Sequence, residues 1–173
     1  MTDTRFDVLT IGNAIVDVIA RVDDTFIASE KLVKGSMNLI DEARAEQLYA
    51  VMGPAQEVSG GSAGNTAAGV ASFGGKAAYF GKIKKDQLGD IYRHDMRSQG
   101  VHFESVAATV GPATARSFIL VTPDSERTMN TYLGACVNLT AADIEEAVVK
   151  DSRVTYMEGY LYDRPEAKEA FRR

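Results

Sequence analysis

Cysteine is almost missing from this sequence of 173 residues. Cys136 stands alone, which excludes an internal disulfide and any zinc site built on cysteine, and fits a reducing compartment. Histidine is nearly as scarce. His94 and His102 share no ligand spacing with each other or with Cys136, so both read as structural and no metal site is expected. Basic charge is in deficit: the net charge of −5 argues against a nucleic-acid partner, which needs a basic face for phosphates. No block of like charge is long enough to make a tail. Long apolar runs are absent too, so no membrane partner or span is expected. Met1–Arg5 lacks the basic stretch and following apolar stretch of a signal peptide. These absences leave a soluble, cytoplasmic protein as the expectation.

What is present is ordinary in bulk, 45% hydrophobic and 25% charged, in the length of one domain with a sizeable core. Phe6–Ile11 is a short apolar run rich in β-branched residues and stopped by Gly12-Asn13, which predicts a buried strand. Ala14–Val22 keeps β character but is interrupted by Asp17. Phe26–Lys31 reads as a helical turn, Ser36–Ile40 as a short strand, and Asp41–Met52 as a helix capped by Asp41 and ended by Gly53-Pro54. Asn65–Phe73 predicts a helix, Ala77–Phe80 a strand, and Gln87–Gln99 a helix with Asp86 as N-cap and Gly100 beyond its end. Ala113–Val121 and Arg127–Leu133 flank Pro123-Asp124-Ser125 as an antiparallel hairpin. Thr140–Val149 predicts a helix opened by a Thr140/Asp143 capping box, Arg153–Met157 a strand, and Arg164–Arg173 a helix with Pro165 first. Alternating strands and helices imply an α/β body with a mainly parallel sheet covered on both faces. The hairpin and the β-rich stretch after Gly12 break that rhythm, and together predict a small projecting sheet.

Glycine is concentrated where chemistry is expected. Nine of 15 glycines lie between Gly53 and Gly89, around "VSGGSAGNTAAGVASFGG" at 58–75. A P-loop is excluded, because Val70 stands where its first glycine belongs and Ala77 follows Gly75-Lys76. The dinucleotide fingerprint fails at Ser59, although the helix that follows offers an N-terminus to an anion. A neutral polyol fits better. Bare backbone at Gly60-Gly61 admits a ligand ring, Asn65 carries donor and acceptor for a hydroxyl, and Asp17 can accept two adjacent hydroxyls where the first strand leaves the sheet. The structural alternative is a tight turn with Asn65 as a helix cap, and the residues by themselves leave it open.

"GNAIVD" (12–17) with "GGSAGNTAAGVASFGGKAAYFGKIKKDQLG" (60–89) resembles the N-terminal half of the ribokinase-like PfkB family of sugar and nucleoside kinases. The pattern is specific, since many positions match at fixed spacing, and the resemblance covers essentially the whole chain. "RTMNTYLGAC" (127–136) and "VTYMEGYLYD" (154–163) are most similar to adenosine-kinase-like members. The resemblance implies a three-layer α/β/α body with a β lid built from about 14–57 and 106–138. It implies that Asp17 holds ribose-like hydroxyls, Gly60 and Gly61 line the sugar, Asn65 bonds a hydroxyl and Asn13 shapes the same corner. Leu39, Leu133 and Ala135 fall where adenosine-kinase-like members line a base pocket, or else belong to the core of the lid. Lys84-Lys85-Asp86 departs from the family's Gly-containing approach to the Asp. Arg116 and Arg127 read either as lid residues that reach a phosphate or as paired hairpin charges, and Glu158 as a structural acid or a group facing ligand or metal.

The family transfers the γ-phosphoryl group of ATP, with Mg2+, using the Asp of a Gly-Ala-Gly-Asp loop as base. That tetrapeptide does not occur; Gly134-Ala135-Cys136 comes nearest, in the predicted hairpin. The expectation is therefore that residues 1–173 form the N-terminal, substrate-binding part of one kinase domain. It has no catalytic residue and no ATP site of its own, and is inactive alone. The expected activity is phosphorylation of adenosine or a similar nucleoside. The alternatives are a ribokinase- or fructokinase-type sugar kinase and a binding module without chemistry.

Overall fold

The structure, a computed structural model, describes residues 4–172. Among these residues are eight strands: β1 (Phe6–Ile11), β2 (Ile15–Arg21), β3 (Met37–Leu39), β4 (Ala55–Gly60), β5 (Ala77–Phe80), β6 (Ala115–Val121), β7 (Arg127–Tyr132) and β8 (Ser152–Met157). Six α-helices accompany them: α1 (Asp24–Ser29), α2 (Glu42–Val51), α3 (Ser62–Ser72), α4 (Gln87–Ser98), α5 (Glu146–Lys150) and α6 (Pro165–Arg172).

β5, β1 and β8 form a parallel sheet in that order, with Leu9 opposite Ala78 on one side and Thr155 on the other. Every residue of β5 is buried, and its alternation assigns the two layers. Ala77 and Tyr79 pack with Ala63 and Ala67 of α3 and with Tyr92 and Met96 of α4. Ala78 and Phe80 pack with Leu9 and Ile11 of β1, Val148 of α5, and Ala167 and Ala170 of α6. The small residues of α3 let it lie close on the sheet, and Thr10 Oγ1 donates to the Ala63 carbonyl at 2.9 Å.

The second sheet has the order β3-β7-β6-β2-β4 and is mixed. β6 and β7 form the antiparallel hairpin, while β2–β6 and β3–β7 are parallel. Val16, Val18 and Phe118 on one face join Ala45 and Leu48 of α2 in the core that also holds α3 and α4. That shared core fixes the second sheet to the α/β body. The other face of β2, carrying Ile15, Asp17 and Ile19, is only partly buried.

Local signals hold where they were strongest. Asp41 accepts from Arg44 N, and Asp86 from Gly89 N, as N-caps of α2 and α4. Four details differ from the sequence reading. α3 starts at Ser62, with Gly61 as its cap, instead of at Asn65. Ala55–Gly60 is a strand although its sequence, AQEVSG, has no apolar alternation; antiparallel pairing to β2 imposes the extended form. The Thr140/Asp143 capping box exists but closes only one 3-10 turn, Ala141–Asp143. The chain then extends at Ile144, whose side chain is buried in the core, before α5 begins. Gly134-Ala135-Cys136 lies past the hairpin, in a 3-10 turn over Gly134–Asn138. The last residue of the helix read to Arg173 lies outside the described residues.

Candidate functional site

The parallel register of β1 and β8 brings their C-terminal ends together, with Ile11 opposite Met157. Glu158 follows directly, its backbone N donating to the Ile11 carbonyl at 2.9 Å. The residue is 2% exposed and its carboxylate accepts four hydrogen bonds. Asn13 donates two, from its backbone N at 3.2 Å and from Nδ2 at 2.8 Å. Ser62 Oγ donates at 2.7 Å and Ala63 N at 3.2 Å, both from the first turn of α3. A negative charge against exposed N–H groups at a helix start is favourable. Glu158 thus ties the β1–β2 corner to the β4–α3 corner. It also occupies the helix N-terminus that the sequence had offered to an anion.

Gly60 ends β4 opposite Ile15, and Gly61 follows at φ +84°, a conformation that suits glycine. A side chain on Gly60 would run into the Asp17 carboxylate, and one on Gly61 into the Asn13 carbonyl. Asp17 is half-buried, and this burial raises its pKa to about 6. Among the described residues no hydrogen-bond donor to its carboxylate is found, and burial alone accounts for the shift. Asn13 Oδ1 is likewise buried without a partner. Two acceptors beside Gly60-Gly61 are therefore without a donor among the described residues.

A cavity of about 300 Å³ opens beside this corner. Asn13, Ser62 and Glu158 make its polar floor. Ile15, Met37, Leu39, Leu133 and Tyr160 make apolar walls, with Thr131 between them. Of the residues read from sequence, Asn13, Leu39 and Leu133 line the cavity. Asp17 lies two residues along β2 from Ile15, on the same face. Asn65 is exposed in the first turn of α3, three residues after Ser62 and hence on a neighbouring part of that helix surface. Ala135 is buried, 1% exposed, and is not among the lining residues; its backbone N donates to the Ala113 carbonyl. Met37 and Thr131 were missed, although the strand period places them on the faces of Leu39 and Leu133. Ser62 was missed because its place depends on α3 beginning there.

Arg116 lies on the opposite face of the second sheet, paired with Glu46 beside a smaller cavity of about 210 Å³. Glu57 and Asp86 share that cavity, so its charge is mixed and Arg116 is already engaged. Arg127 is exposed at the start of β7, far along the strand from Tyr132. His102 packs against Phe6 in a tilted ring pair with centroids 5.0 Å apart, and burial lowers its pKa. Cys136 is fully buried, which pushes its thiol far above the usual range. Among the described residues no group of three or more His, Cys, Asp or Glu is arranged to hold a metal ion, and no helix is long and apolar enough to cross a membrane.

Bare glycine backbone, a carboxylate with no donor among the described residues and an apolar-walled cavity thus meet at one end of an α/β protein. Residues 6–172 match the model of the pfkB family carbohydrate kinases, and the chain belongs to that family. An adenosine kinase from Sinorhizobium meliloti is 64% identical, with a TM-score of 0.88 over 97% of this chain and 51% of that one. A probable sugar kinase from Rhizobium etli CFN 42 is 63% identical, with a TM-score of 0.88 over 96% of this chain and 51% of that one. Among curated proteins, Fructokinase-2 of Solanum lycopersicum is 29% identical over 97 residues, 55% of this chain and 30% of that protein. The chain therefore spans about half the length of the solved relatives, whose fold is the ribokinase-like α/β fold expected from the sequence.

Proposed function

We propose that this chain is the substrate-binding part of an ATP-dependent kinase that phosphorylates a hydroxyl of adenosine or a closely related nucleoside. The observation that carries the proposal is the Asp17 carboxylate, half-buried against Gly60 and without a donor among the described residues, beside a cavity with apolar walls. Asp17 accepts hydrogen bonds from two neighbouring ribose hydroxyls, Asn13 Oδ1 accepts a further one, and Asn65, exposed in the first turn of α3, offers another donor and acceptor. Leu39, Leu133 and Met37 offer a flat base the apolar surface that a free sugar would not use. The likeness to the Sinorhizobium meliloti adenosine kinase supports this choice. A fructokinase-type reading is favoured by the curated plant relatives, and competition between adenosine and fructose separates the two.

ATP with Mg2+ is the phosphoryl donor that the family implies. The described residues do not fit it: the α3 N-terminus is filled by Glu158, no carboxylate cluster is arranged for a metal, and no Gly-Ala-Gly-Asp loop occurs in the sequence. The role of this chain is to bind and orient the acceptor alcohol, with the base and the phosphate clamp supplied by a downstream half. A cytoplasmic location agrees with the single, buried thiol of Cys136. The test is calorimetric titration of the chain with adenosine, ribose and fructose, followed by ATP turnover assays with adenosine. Failure of all three ligands to bind removes the proposal. Steady turnover by the 173-residue chain alone overturns the division of labour.

A further inference from the structure

Tyr79 on β5 and Tyr92 on α4 are 1% and 0% exposed, with ring centroids 6.1 Å apart. Their hydroxyls reach the two corners of the site. Tyr79 Oη donates to the Gly12 carbonyl at 3.0 Å, and Tyr92 Oη donates to the Gly60 carbonyl at 3.1 Å. Gly12 precedes Asn13, while Gly60 packs on the Asp17 carboxylate and precedes Gly61. Two nearby glycines make room for the phenols. A Cβ on Gly64 would come within 2.6 Å of Tyr92 Oη, and one on Gly81 would collide with Tyr79 Oη. Burial pushes both phenols well above their usual range, so they remain neutral donors at any working pH.

The geometry points to Tyr79 and Tyr92 as positioning residues: their hydroxyls hold the Gly12 and Gly60 carbonyls, and so set the separation of the corners that carry Asn13, Asp17 and Gly61. A strand-end carbonyl can be satisfied by any donor. These two donors instead come from neighbouring rings in one core and meet both corners of one site. Displacement of either ring is thereby transmitted to the ligand acceptors. The inference rests on the polyol-binding reading above for its functional consequence, but its structural content is testable without a ligand.

The experiment uses Tyr79→Phe and Tyr92→Phe in the full chain, each alone and with Asp17→Asn. Amide hydrogen exchange is read first. Tyr92→Phe is expected to speed exchange at Ala63 and Asn65, and Tyr79→Phe at Asn13, by about tenfold while core amides elsewhere are unchanged. Titration with adenosine and ribose is read second. Each variant is expected to weaken adenosine by about fivefold to tenfold, the scale of one neutral hydrogen bond. In the Asp17→Asn background the effect of Tyr92→Phe is expected to fall to about twofold or less, because Gly60 acts on the ligand through Asp17. A merely structural hydroxyl would leave that ratio unchanged between backgrounds. Unaltered exchange at the corner amides, or equal losses in both backgrounds, overturns the inference. If the parent binds neither probe, the polyol reading falls, and the exchange measurement alone decides whether the corners are held.

Discussion

Glu158 and Asn13, 145 residues apart in sequence, are joined by two hydrogen bonds to the same carboxylate oxygen, at 3.2 Å from the backbone N and 2.8 Å from Nδ2. With its amide nitrogen held there, Asn13 turns its Oδ1 into a buried position with no partner. The pair thus fixes the orientation of the Asn13 amide through the carboxylate of Glu158. Glu158→Gln puts an NH2 against at least one of four donors. It is expected to lower the unfolding free energy by about 2–3 kcal/mol, given the strength of hydrogen bonds to charged groups. Urea denaturation measures this, and a change below about 0.5 kcal/mol would show that the carboxylate is not needed.

Asp17→Asn is expected to weaken adenosine and ribose binding by about 1.5–3 kcal/mol for each charged hydrogen bond lost, with the fold intact. Circular dichroism checks the fold and calorimetry the affinity. Equal affinity in parent and variant would remove Asp17 from the site.

The pH dependence has two opposite signs. Asp17 has its folded pKa raised from 3.8 to about 6, by burial. The folded state therefore binds the proton more tightly than the unfolded chain does, so this stabilising contribution is full below pH 3.8 and lost as pH rises through about 6. On the proposal that Asp17 accepts ligand hydroxyls as a carboxylate, binding gains over the upper part of that window. The parent, compared with Asp17→Asn, is expected to lose thermal stability between pH 4 and 6.5 while its affinity for adenosine rises. Parallel pH profiles in the two proteins would contradict the assignment.

Leu133 lines the cavity and Leu39 faces it at 63% exposure. Adenosine is expected to bind more tightly than ribose or fructose by over about 1.4 kcal/mol, a factor of ten. Leu133→Ala is expected to narrow that gap by weakening adenosine alone. A free sugar that wins the competition would favour the fructokinase-type reading.

Among the described residues β8 is the edge strand of its sheet, with Val154, Tyr156 and Met157 exposed at 56%, 41% and 49%. An uncovered apolar edge invites pairing. The 173-residue chain is expected to associate as its concentration rises, and Tyr156→Lys to reduce this, both read by size-exclusion chromatography. Identical elution of parent and variant at all concentrations would place any association elsewhere.

Sequence alone determined the elements whose signals are local. The apolar runs of β1 and β5, the Asp41 and Asp86 caps and the turn between β6 and β7 are each set by residues within a few positions of one another. The glycine pattern likewise marked Gly60 and Gly61, because a backbone with no room for side chains is written directly in residue type. Only the tertiary structure decided that AQEVSG is a strand, since its extension comes from β2 and from no pattern of its own. It alone split the segment after Thr140, where burial of Ile144 outweighed the capping box. It alone showed Ala135 to be buried, and made Glu158 the joint between two corners. Contacts such as these bring together residues from distant parts of the chain, and no spacing within a segment records which distant acceptor a donor will meet.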